Sequence, residues 1–259
     1  MKISDNSWQK FLVPKHREKQ NALKYIVLTT FKTNKILHMK AKKNYNSSLI
    51  FLAIFSVVMV SIIYFLTSAE RKLPVYNPVD INPRLVDSKV KHISYGHKIA
   101  DFNLINQNGE TITQNDYQDK IYVAEFFFTR CKTICPIMAT NMLTLQDEFL
   151  KDNDVKFLSM SVTPIMDSVP ILKKYAIKKG IITEKWNITT GNKQHIYELA
   201  RKSYMAVLDE GDGDEQDFIH TEQFVLIDKQ RQIRGFYDGT SKKDIQQIIE
   251  DINLLKKEK

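Results

Sequence analysis

Hydrophobic and polar positions divide the chain into three stretches. Residues 1–48 scatter apolar side chains among lysines without a period. Residues 49–66, LIFLAIFSVVMVSIIYFL, run eighteen positions without a charge, about 27 Å as a helix and enough to cross the core of a bilayer. From Ile99 onward, short apolar runs alternate with longer segments at helical spacing. IADFNLINQNGETITQNDYQDK alternates on either side of Asn108-Gly109, the dipeptide a tight hairpin favours. Ile121–Phe128 is short, β-branched and aromatic, as in a strand buried on both faces, and Pro136–Leu150 continues at helical spacing. Val155–Val162 predicts a second buried strand, ended by Thr163-Pro164. A helix follows with Asp167 or Ser168 as its cap, Pro170 in its first turn and Val169, Leu172, Tyr175 and Ala176 on its apolar side, and it stops at Gly180. Trp186–Thr189 predicts a brief strand, and Asn192–Tyr204 a helix with Ile196, Leu199 and Ala200 inward. The tail predicts strands at Gln223–Asp228 and Ile233–Tyr237 around a turn at Lys229–Gln232, then a helix from Ser241 to about Leu255.

Strand, helix, strand, helix, strand, strand, helix is the thioredoxin-like order, an α/β fold with a mixed sheet flanked by helices. The expected organisation is a cytoplasmic basic segment at 1–48, a transmembrane helix at 49–67, a tether at 68–98 and the thioredoxin-like domain at 99–259. The tether rests on Pro74, Pro78, Pro83 and the lack of a period; His92 and His97 within it are expected to face solvent. A cleaved signal peptide competes with a retained anchor, but its apolar region is normally shorter and Thr67–Ala69 is a weak cleavage site. Met39 is a second candidate start, in which case residues 1–38 are not translated.

Charge changes the picture once it is located. The chain carries +8 overall, but residues 1–48 hold ten Lys and one Arg against Asp5 and Glu18, so the remainder is close to −1. A nucleic-acid function, which needs a basic face on the folded part, loses its support. The lysines before the span keep that side in the cytoplasm and send residues 70–259 outside. The basic segment has a single Arg, unlike an Arg-rich mitochondrial presequence. The expected location is therefore a bacterial inner membrane with the domain on the periplasmic side.

The only cysteines, Cys131 and Cys135, fall between the first buried strand and its helix. Thiols at a helix N-terminus feel its positive end, and at this spacing two sulfurs can form a disulfide or share a soft metal ion. The spacing is Cys-x-x-x-Cys rather than the Cys-x-x-Cys of thioredoxin-type pairs, and no proline follows Pro170 where such enzymes place one against their cysteines. His220 instead heads the strand expected to face the cysteine turn. Two thiolates and an imidazole accept Cu(I) through sulfur and Cu(II) through mixed ligation. An exported pair with no other thiol also lies where disulfides persist. Asp209–Asp217 lacks the spacing of a calcium loop and is expected to be a solvated loop. Met138 and Met142 could serve as soft ligands in transfer, but their helical spacing after a buried strand favours the core.

FFFTRCKTICPIM and DFIHTEQFVLID together resemble the Sco/SenC family of membrane-anchored copper proteins that help assemble the copper A centre of cytochrome c oxidase. The likeness runs over about residues 95–257. The resemblance implies Cys131, Cys135 and His220 as copper ligands, Cu(I) or Cu(II), and the copper A subunit of the oxidase as partner, with other periplasmic copper carriers or thioredoxin-like proteins as further candidates. Lys132 stands where many members have proline, Thr163 where many have aspartate, and Ile219 where some have an acidic residue before the histidine. Asp217 is the remaining candidate for an axial carboxylate. Two other functions fit the residues: a thiol-disulfide oxidoreductase or peroxidase-like enzyme using Cys131 and Cys135, and a redox or copper sensor.

Overall fold

The computed structural model describes residues 45–67, 72–82, 84–87, 89–207 and 221–258. They form two units, divided at Glu70. In the first, helix α1 spans Tyr45–Thr67. Its window Ser47–Tyr64 has a mean hydropathy of 2.4, and no part of it is buried by protein. Such a helix is long and apolar enough to cross a membrane. Ser56 returns its hydroxyl hydrogen to the Ala53 carbonyl at 2.8 Å, which removes its polar demand on the surroundings.

The second unit is built on a seven-stranded mixed sheet: β1 Asn103–Asn106, β2 Thr111–Thr113, β3 Ile121–Phe127, β4 Val155–Ser161, β5 Trp186–Thr190, β6 Gln223–Ile227 and β7 Ile233–Asp238, in the order β2-β1-β5-β4-β3-β6-β7. The three central strands run parallel; β1, β2, β6 and β7 join antiparallel. The helices are α2 Cys135–Glu148, α3 Val169–Lys179, α4 Lys193–Glu198 and α5 Lys242–Leu255. Asn108-Gly109 turns the first hairpin with Gly109 at φ 82°, the left-handed region glycine adopts without cost. Side-chain alternation splits the core. Tyr122, Ala124 and Phe126 of β3 meet Ile196, Leu199 and Tyr204, while Ile121, Val123 and Phe127 meet α2, α3 and α5 through Met138, Met142, Leu172 and Ile248.

Two expectations need correction. Residues 72–98 are not a free tether. Tyr76 bridges to Ile233 at the open edge of β7, its N–H reaching the Ile233 carbonyl at 2.9 Å. Arg234, buried on β7, holds the Leu73 and Pro74 carbonyls at 2.7 and 3.1 Å and pairs with Asp228 and Glu258 at 2.9 and 2.6 Å. Ile81, Leu85 and Val86 then enter the core. The segment shows no period because its partners lie far along the chain. His97 is likewise 8% exposed, not solvated, with Nε2 at 2.8 Å from the Ser203 carbonyl oxygen; His92 is exposed as expected. A smaller difference lies in the helix expected over 192–204, which leaves α-helical geometry for a π-helical turn at Leu199–Ser203.

Candidate metal and thiol site

The cysteine turn is a consequence of how β3 ends. Val162 N–H donates to the Phe127 carbonyl at 2.9 Å, the last bond along β3, and the chain reverses at once, with Cys131 N–H donating to the Phe128 carbonyl at 3.3 Å. Helix α2 opens at Cys135, and Pro136 sits in its first turn, where a missing N–H costs nothing. No side chain caps the helix from Ile134. The Cys131 sulfur takes that place: Cys135 N–H donates to Cys131 Sγ at 3.3 Å, and Thr133 Oγ1 lies 3.6 Å from the same sulfur. An otherwise unpaired helix amide therefore points at a group that can become an anion.

The two thiols are chemically unequal. Burial opposes ionisation of Cys131, but hydrogen bonds from the Cys135 thiol and amide and from Thr133 outweigh it and hold the thiol at about 7. Cys135, 5% exposed, is pushed up to about 12 by burial and by its own hydrogen bond to Cys131. Near neutral pH, Cys131 is thus the readily available thiolate and Cys135 keeps its proton. Both are free thiols here.

Beneath them lies a buried carboxyl group that the apolar pattern concealed. Glu125 on β3 is 2% exposed; its Oε1 accepts the Ser159 hydroxyl at 2.6 Å, and Oε2 has no partner. Ser159 Oγ also accepts Trp186 Nε1–H at 2.7 Å, so its single hydrogen is committed to the glutamate. Burial raises the Glu125 carboxyl to about 7, against the pull of Ser159. Its charge adds to the cost of ionising Cys135 and, behind burial, to that of Tyr175. A carboxylate in the middle of IYVAEFFF was a visible signal that periodicity passed over. Asp167, one of the two expected caps of α3, also acts elsewhere: Ser168 is the N-cap residue and makes no side-chain bond to the helix, while Asp167 reaches back to Thr129 at 2.5 Å.

Of the expected ligands, the structure brings Cys131 and Cys135 together. His220 and the axial candidate Asp217 lie outside the described residues, as does the acidic loop 209–217. Among the described residues no group of three His, Cys, Asp or Glu is gathered at metal-binding distance. β6 runs antiparallel to β3, pairing Ala124 with Val225 and Tyr122 with Ile227, so β6 starts at the end of the sheet where β3 delivers the cysteines. Thr221 is fixed there, its hydroxyl donating to the Ala206 carbonyl at 2.9 Å. Met138 and Met142 are buried in the core.

A family model described as SCO1/SenC matches residues 91–257. The chain belongs to the SCO1/SenC family. Among its SCO1/SenC relatives, the SCO1 protein homolog of Bacillus subtilis (strain 168) is 32% identical over 158 residues, 60% of this chain and 81% of that protein. The solved structure of a SCO1/SenC family lipoprotein from Bacillus anthracis str. Ames is 31% identical, with a TM-score of 0.55 over 62% of this chain and 96% of its own. A second structure, of BsSco, was described for a disulfide switch and as a member of the Sco family of cytochrome c oxidase assembly proteins. It is 30% identical with a TM-score of 0.54, covering 63% of this chain and 95% of that one. The mixed, helix-flanked sheet is therefore the Sco type of thioredoxin-like fold.

Proposed function

We propose that this protein is a membrane-anchored copper carrier that delivers copper, and keeps target thiols reduced, during assembly of the copper A centre of cytochrome c oxidase. The observation that carries the reading is the thiol pair on one turn, with Cys131 held at about 7 and capping the helix that Cys135 begins. Cys131 offers a thiolate near neutral pH and makes first contact with the cargo. Cys135 must lose its proton to become the second ligand, so loading releases a proton and the retained affinity is sensitive to pH. Two thiolates satisfy Cu(I). His220, three residues before β6 in the sequence, adds the nitrogen that Cu(II) prefers and, by leaving, lowers the retention of the metal.

Helix α1 is the single anchor in this reading, in a bacterial inner membrane with the domain on the periplasmic side. Lys32, Lys35, Lys40, Lys42 and Lys43 precede the span, while Arg71 and Lys72 follow it closely, a bias that keeps the N-terminus inside. The oxidase subunit bearing the copper A site is the proposed partner.

The inequality of the thiols also favours a second reading, reduction of partner disulfides. The Cys131 thiolate would attack one sulfur of the partner, forming a mixed disulfide and expelling a partner thiolate. Cys135, once deprotonated, would attack Cys131 Sγ, releasing the second partner thiol and leaving the Cys131–Cys135 disulfide. The full chain, reduced in detergent, separates the readings. Retention of one copper per chain through gel filtration supports delivery; no retained copper together with fast reduction of insulin supports the reductase.

A further inference from the structure

Thr129 is the second residue of the turn from Phe128 to Cys131, so its conformation decides where the Cys131 sulfur is thrown relative to the first amide of α2. One carboxylate from another element takes both of its polar handles. Thr129 N–H donates to Asp167 Oδ2 at 3.1 Å, and its hydroxyl donates to Oδ1 at 2.5 Å. Asp167, in the connection from β4 to α3, is 0% exposed. Its Oδ2 also accepts the Ser161 hydroxyl at 2.6 Å and the Thr163 hydroxyl at 3.0 Å. Among the described residues its hydrogen-bond partners are thus four neutral donors. A carboxylate stripped of water persists in such a place only where its donors are well aligned. Sequence position would have spent this side chain on capping α3, yet it turns the opposite way, toward the thiol turn. Thr163 has a stated use here as well: it supplies a donor to Asp167, where a second carboxylate would repel it.

We propose that Asp167 is a positioning residue for the thiol pair: by gripping Thr129 at both its amide and its hydroxyl, it fixes the turn that sets Cys131 Sγ against the first amide of α2, and so sets the reactivity of Cys131. The role belongs to shape rather than charge. An asparagine can keep it, because its carbonyl oxygen accepts from Thr129 N–H, Ser161 and Thr163, while its NH2 donates to a Thr129 hydroxyl that has reversed its role. Alanine cannot.

The test measures alkylation of Cys131 by iodoacetamide in the reduced, metal-free full chain in detergent at a fixed neutral pH, with the modified residue mapped by mass and folding checked by circular dichroism. Asp167→Ala should slow alkylation by about tenfold, the fold-change expected when one hydrogen bond to an ionised sulfur is lost. Asp167→Asn should stay within about threefold of the unaltered chain. If Asp167→Ala fails to fold, Thr129→Val removes the hydroxyl handle alone and should slow alkylation, with Thr129→Ser restoring it. A folded Asp167→Ala or, in its absence, a Thr129→Val that reacts at the unaltered rate overturns the proposal, and so does an Asp167→Asn as slow as the alanine variant. The readout involves no metal, so its failure is distinguishable from failure of the copper reading.

Discussion

Replacing Glu125 by Gln offers a quantitative check on the floor of the site. The carboxyl has one committed donor, Ser159, and an oxygen with no partner, and burial lifts it from the ordinary 4.5 to about 7. Between those values the folded chain holds a proton that the unfolded chain has released. The contribution of this group to stability must therefore fall as pH rises, being fully present below about 4.5 and lost by the time pH passes about 7. The gap corresponds to ~3 kcal/mol, an order-of-magnitude figure for a single buried group. Glutamine fills the same space, accepts the same Ser159 hydrogen and does not titrate. Urea unfolding of the reduced, metal-free chain at a series of pH values, for the unaltered protein and Glu125→Gln, yields a difference curve in which every other titration cancels. The variant should gain relative stability steadily across pH 4.5–7. A difference flat to within about 0.5 kcal/mol across that window would refute a buried, protonated Glu125.

Other expectations follow from the same geometry. Cys131→Ser or Cys135→Ser should abolish tight copper binding, since one thiolate and one imidazole under-coordinate the metal; unchanged affinity in either variant, measured by competition with a chelator, contradicts the site. The alkylation rate of Cys131 should rise with a midpoint near pH 7, and a midpoint near that of a free thiol would show that the helix amide does not reach the sulfur. His220→Ala should weaken Cu(II) far more than Cu(I), and equal losses by the two oxidation states would remove His220 from the ligand set. Arg234→Met strands Asp228 and frees Leu73 and Pro74, at a cost of about 3–5 kcal/mol, typical of breaking a buried ion pair. Urea midpoints and proteolysis within residues 72–98 read this out, and an unaltered midpoint argues against the clasp.

The strands and helices were legible wherever burial imposes a period. β3, β4 and α5 begin and end within a residue or so of their expected limits because one face, or both, must be apolar. The thiol pair was legible for a different reason, since two cysteines between a buried strand and a helix have few other roles. What escaped depends on distant partners. Residues 72–98 gain order from Ile233 and Arg234, more than a hundred positions later, which no local pattern can announce. Glu125 was hidden by the apolar run around it, its burial tolerated because Ser159 and Trp186 stand on neighbouring strands. Asp167 carried a helix-cap signature that the turn at Thr129 overrode. The change to π geometry at Leu199–Ser203 accompanies an Ala206 N–H bond back to the Ala200 carbonyl at 3.0 Å, again invisible as a period.

Copper carriage itself is tested by copper titration of the reduced full chain in detergent, followed by gel filtration and absorption spectroscopy. One copper per chain should be retained, Cu(II) should give an intense sulfur-to-metal absorption, and this absorption should disappear in Cys131→Ser. A chain that elutes free of copper, with both thiols confirmed reduced, would contradict copper carriage.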